Sequence, residues 1–262
     1  MADRVLEPVP ALLHRYRPPE EIERGWFEDL LVHHRIWASS PTEFNDEDDC
    51  RARIDYRGSE DEHFRSYEGM FAKLGLDAAD AKAEALDSLA KGVWKDSLAH
   101  ESLRASMQTV FDNYGVICLC ESGTSAHMWR LYAEQHRGIC LRFETSKPPF
   151  SNVFRVKYLF KLHNVRFNDD PGAFVELLLT KGQSWKDEAE WRHVDTSSGK
   201  GYRSFPPSAL KAVILGMNIT PVMRSEAYRL MERWSPGVEL LQAVSRPGQV
   251  DPGLEPLSVS TT

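Results

Sequence analysis

A chain of 262 residues with a formal net charge of −7 is long enough to bury a full core without covalent staples, and its sign disfavours general electrostatic attachment to nucleic acid, although a local basic cleft stays open. Its four cysteines, Cys50, Cys118, Cys120 and Cys140, form no Cys-x-x-Cys pair, which argues against a disulfide framework and suits a reducing cytosol. No apolar run reaches membrane-spanning length and Met1-Ala2-Asp3-Arg4 opens on no apolar signal core, so a cytoplasmic protein with no membrane partner is expected.

Leu12 to Tyr16 reads as a short strand stopped by Pro18-Pro19. Glu20 to Val32 reads as a helix, with acids in its first turn and Ile22, Trp26, Phe27, Leu30 and Leu31 as its apolar stripe. A second strand follows at Arg35–Ala38. From about Ser59 to Asn113 the chain is rich in Ala, Glu, Lys and Leu and reads as helices broken near Gly75 and Gly92, an insertion beside a sheet. Strands are expected at Gly115–Cys120, Gly138–Phe143, Val153–Leu159, Glu188–Val194, Ala212–Leu215 and Val238–Ser245. Helices are expected at Ala126–Glu134, Phe174–Lys181 and Pro221–Trp234. Strands and helices mix without a strict βα repeat, which predicts an α+β fold. One domain is expected over residues 1–246, followed by a Pro-, Gly- and Ser-rich disordered tail over 247–262.

Glu188 and Glu190 carry the most chemical information. On a strand they share a face, and two carboxylates held together in a cleft suit acid/base work or stabilisation of a cation. The plain alternative pairs them with Lys186 or Arg192 at a strand edge. Trp129 and Tyr132 share a helix face and, with His136, read either as core or as an aromatic wall for a planar ligand. On the first strand His14 and Tyr16 occupy one face and Arg15 and Arg17 the other, where an arginine can grip phosphate. The acidic run Asn45-Asp46-Glu47-Asp48-Asp49 reads first as a turn. Asp46 and Asp49 with Glu188 and Glu190 would alternatively ligate Mg²⁺ in a nuclease or phosphodiesterase. No Walker, Rossmann, G-x-S-x-G or H-E-x-x-H pattern is present.

Several segments resemble a bacterial family of domains of unknown function. They are Leu13-His14-Arg15-Tyr16-Arg17, Ile36 to Asp46, Met128-Trp129-Arg130-Leu131-Tyr132-Ala133, His136 to Leu141, and Lys181 with Trp185, Glu188, Glu190, Trp191 and Arg192. The resemblance covers about residues 12–216 and implies no activity. Glu47 stands where that family usually has proline.

The order of an arginine strand, a serine-ended strand and Glu-x-Glu is also similar to ADP-ribosyltransferases of the arginine–serine–glutamate class. That resemblance implies a split β-sheet and NAD as substrate. Arg15 or Arg17 would lie on the NAD phosphates, Ser39 and Ser40 would support the nicotinamide site, and Glu190 would lie on the nicotinamide ribose. Glu188 would activate a macromolecular acceptor, and Trp129 or Tyr132 would stack on a ring of the nucleotide. A toxin or defence setting fits such an enzyme. A non-enzymatic nucleotide- or protein-binding module is the remaining reading.

Overall fold

β1 (Leu12–Arg17) forms where a strand is expected and is buried on both faces, and the computed structural model describes residues 7–20, 25–166, 171–234 and 237–257. Next come α1 (Trp26–Leu31) and β2 (Arg35–Ala38). α1 is shorter than the sequence predicts. Gly25 caps it at φ 81, a left-handed conformation that glycine adopts without strain, and residues 21–24 lie outside the described residues.

β3 (Ile54–Asp55) leads into α2 (Glu60–Lys73), α3 (Ala78–Ala90) and α4 (Ser97–Asp112). Ser59 and Glu62 form a capping box on α2, while Asp77 and Asp96 cap α3 and α4. The breaks fall at Gly75 and Gly92, both at positive φ just past a helix end.

β4 (Gly115–Cys120), α5 (Ala126–Tyr132) and β5 (Ile139–Glu144) follow. The strand expected over Val153–Leu159 is two strands, β6 (Phe154–Arg155) and β7 (Lys157–Leu159), which pair with different partners on either side of Val156. After β8 (Val165–Arg166), the helix expected over Phe174–Lys181 starts earlier and ends earlier, as α6 (Pro171–Leu177). Parallel pairing with β7 draws Thr180–Gly182 into β9. Tertiary pairing there overrides the local helical pattern.

β10 (Glu190–Asp195) begins two residues later than expected, because Gln183–Glu188 is a 3₁₀ turn and Ala189 takes φ 45. β11 (Gly201–Ser204), β12 (Leu210–Leu215), α7 (Pro221–Trp234) and β13 (Glu239–Val244) complete the run. The last strand, β14 (Gly253–Pro256), falls within the span expected as a disordered tail; it pairs antiparallel with β13, and Leu254 packs on the core, while residues 258–262 of that span lie outside the described residues. Proline and glycine are tolerated there because β14 is an edge strand.

Within the span expected as one domain, two compact units are distinguishable. The first takes residues up to Ser39, Gly115–Val156, and those from Ser184 onward. It is built on an eight-stranded sheet in the order β14-β13-β12-β5-β1-β4-β10-β6. The sheet is mixed: β12 and β13 run parallel and its other neighbours antiparallel. The fold is therefore α+β, with the helical block between the early and later strands.

One sheet face carries Leu13, Leu119, Leu141, Val213 and Trp191 and buries them under Phe27, Leu30 and Leu31 of α1 and Ala227 and Leu230 of α7. The other carries Tyr16, Cys120, Cys140 and Ile214 and is covered by Met128 and Trp129 of α5. This two-sided burial follows from the period-2 alternation of β1, β4 and β5.

The second unit, Ser40–Tyr114 with Lys157–Gln183, holds α2 to α4 and the parallel pairs β3–β8 and β7–β9. Ala81, Ala85, Phe111, Leu177 and Leu178 are buried in it. Asp49 and Lys181 form a buried ion pair with N–O 3.5 Å.

Candidate functional site

The register of the sheet builds a polar row on the α5 face. Glu190 of β10 lies opposite Cys120 of β4, which lies opposite His14 of β1, which lies opposite Arg142 of β5. Opposed residues of antiparallel strands point to the same side, so these four share one face. Arg192, opposite Cys118, joins them one repeat further along β10.

Glu190 and Arg192 form a bidentate ion pair, Nε to Oε1 at 2.7 Å and Nη2 to Oε2 at 2.8 Å. Arg192 is 0% exposed and Glu190 5%. Two parallel charge-assisted bonds between buried groups hold the Glu190 side chain in a fixed orientation. The cause is local in sequence: two residues along a strand return to the same face.

Glu188 reaches the same neighbourhood by another route. The 3₁₀ turn and the left-handed Ala189 bring its side chain, 2% exposed, to the Tyr132 hydroxyl, which donates to Oε1 at 2.5 Å. Burial raises the Tyr132 phenol above its ordinary range, and the Glu188 charge beside it adds to the effect. Burial likewise raises the Cys120 thiol, with the charges of Glu190 and Glu188 adding to it. Both glutamates thus act on Cys120 and on Tyr132.

His14 is tied at both ring nitrogens. Nδ1–H donates to the Glu121 carbonyl at 3.1 Å, and Nε2 accepts from Nε–H of Arg142 at 3.3 Å. Burial, with the Arg142 charge in support, lowers its pKa from 6.5 to about 4. Folded protein therefore binds fewer protons than unfolded protein between those two values. The contribution is complete above pH 6.5 and is lost as pH falls towards 4, amounting to about 3 kcal/mol. Urea midpoints measured across this window are expected to fall for the wild type, and to fall less in His14→Asn.

The other residues marked in the sequence separate. Arg15 and Arg17 face the α1 side. Arg15 donates from Nη1 to the Trp37 carbonyl at 2.8 Å, and the Arg17 guanidinium lies 4.8 Å from the centre of the Trp26 ring. The alternation that puts His14 with Glu190 turns both arginines away from it, so they do not share a face with the glutamates. Ser39 bridges to Val116, roughly 13 Å along β4 from Cys120 at the usual strand rise. Ser40, in the second unit, accepts from the Thr42 amide as the cap of the 3₁₀ helix Pro41–Glu43 and donates to the Asp112 carbonyl at 2.7 Å.

Trp129 is 0% exposed. It meets Tyr16 edge-on at 5.0 Å and stacks on His136 at 5.1 Å, so its faces are filled by protein. His136 ends a run of three left-handed residues, Glu134, Gln135 and His136, held by Asn218 through both its amide and its side chain.

The acidic run behaves as a turn: Asp46 accepts from the Asp48 amide at 3.0 Å, and Asp49 is paired with Lys181. Among the described residues no group of three or more His, Cys, Asp or Glu is placed to hold a metal ion. No described helix is long and apolar enough to cross a membrane.

Sequence reasoning marked Glu188, Glu190 and Tyr132 as site residues and named Arg192 as an ion-pair partner for the glutamates, but it did not mark His14, Cys120 or Arg142 as part of the site. The i, i+2 spacing of Glu190 and Arg192 was the available signal for the pair. His14 and Arg142 become neighbours only through the β1–β5 register. No family model matches the chain, and neither the curated proteins nor the solved structures contain a match to it.

Proposed function

We propose that the α5 face of the large sheet is the reaction centre of an enzyme that cleaves the glycosidic bond of a nicotinamide nucleotide, as an ADP-ribosyltransferase or NAD glycohydrolase. The observation that carries this is the convergence of two buried glutamates, each with its side chain fixed. Arg192 holds Glu190 through two bonds, and the Tyr132 hydroxyl donates to Glu188. Loss of nicotinamide leaves an oxocarbenium-like ribose, and a fixed carboxylate lowers the energy of that cation. Glu188 takes the proton of the attacking water or acceptor hydroxyl, with Tyr132 exchanging its hydrogen bond for one to the substrate. Arg142, beside His14 on this face, replaces Arg15 and Arg17 as the cation for the phosphates.

The test is incubation with NAD, following released nicotinamide and transfer of label to protein. Release by the wild type and its loss in Glu188→Gln, with an unchanged melting curve, is the expected result. Glutamine keeps an acceptor for Tyr132 but cannot take a proton. Absence of release and of label transfer overturns the proposal.

One observation favours a second reading, a nucleotide-binding module without turnover: Glu190 has both oxygens engaged by Arg192. In that case NAD raises the melting temperature and is recovered intact.

A further inference from the structure

From residue 145 to residue 168 the sequence carries Lys147, Arg155, Lys157, Lys161 and Arg166 and no aspartate or glutamate, within a chain whose net charge is −7. Part of this run, in the second unit, is open to solvent. Phe160 is 95% exposed at the bend after β7, and Lys157, Lys161 and His163 around it are exposed. Among the described residues neither Lys157 nor Lys161 forms an ion pair, whereas Arg155 is engaged by Glu7 and Glu121 and Arg166 by Glu62 at 3.7 Å. A phenylalanine left almost wholly in water offers both ring faces, and no hydrophobic neighbour gains from its burial.

We infer that the β7 bend is a docking point for single-stranded nucleic acid, with Phe160 stacking on a base and Lys157 and Lys161 on the flanking phosphates. The exposed Lys157 and Lys161 at the bend select a polyanion against the acidic background of the chain. The exposed ring selects unpaired bases, because every base has a face to stack and a duplex hides it. The four-residue spacing of the lysines around one aromatic fits a contact of a few nucleotides. This inference is independent of the chemistry proposed for the α5 face.

Fluorescence anisotropy of the full chain with a labelled oligothymidylate tests it. Binding at low salt is expected, with a log–log salt slope of about −1.4, from two phosphates at ~0.7 each. Phe160→Ala is expected to weaken binding about tenfold. Lys157→Gln with Lys161→Gln is expected to flatten the salt dependence. These side chains are exposed, so the variants fold as the wild type does. Failure to bind the oligonucleotide overturns the inference, as does affinity that neither variant changes. Retention on phosphatidylserine vesicles without oligonucleotide binding also overturns it and assigns the bend to a membrane surface.

Discussion

Glu190→Gln is expected to destabilise the protein by about 3–5 kcal/mol. Considered from sequence, removing one charge from a like-charged pair would be neutral or mildly stabilising. The structure reverses that expectation, because the partner that matters is Arg192. Arg192 is 0% exposed, so no water replaces the charge-assisted bond that a glutamine cannot accept. Arg192→Met alone is expected to cost a similar amount, because it removes both charge-assisted bonds from the buried Glu190 side chain.

Replacing both members, Glu190→Leu with Arg192→Met, is expected to recover most of the loss, since a buried ion pair stabilises little relative to a well-packed apolar pair. Urea denaturation of the two single variants and the double variant measures the coupling directly. Additive losses would show that the two groups do not act on each other. Glu190 is for this reason the wrong residue for separating chemistry from folding, and Glu188 the right one.

Trp129→Ala is expected to cost about 3–5 kcal/mol, and Trp129→Phe much less. The indole fills the space between Tyr16 of β1 and the His136 ring, under α5, and alanine leaves that space empty. A ring that served only a nucleotide would leave stability unchanged on removal and weaken binding alone. The measurement is thermal or urea unfolding without ligand. Full stability in Trp129→Ala would return Trp129 to the role of a ligand wall.

The fold was readable from the sequence wherever local chemistry and burial agree. Gly75 and Gly92 end helices because glycine tolerates the left-handed position. β1, β4 and β5 are buried on both faces, which their apolar runs announce. It was unreadable where pairing overrides composition. Thr180–Gly182 became a strand because β7 offered it a parallel partner, and Gly253–Pro256 became an edge strand because β13 had a free side. For the candidate site the same division holds. Glu188, Glu190 and Tyr132 were marked by residue type, but the proposed meeting of those glutamates with Arg15 and Arg17 required a shared face, and register alone decides faces.

The sequence by itself determined the α+β class, the helical block, and which side chains alternate together along each strand, because these depend on neighbours within a few residues. The tertiary structure decided which alternating sets meet. It buried the Glu190–Arg192 pair that the strand period had already set side by side, brought His14 against Arg142, and sent Arg15 and Arg17 to the α1 side. The reason is geometric: a one-residue change in strand register moves every side chain to the other face, and no local pattern records which strand will lie alongside.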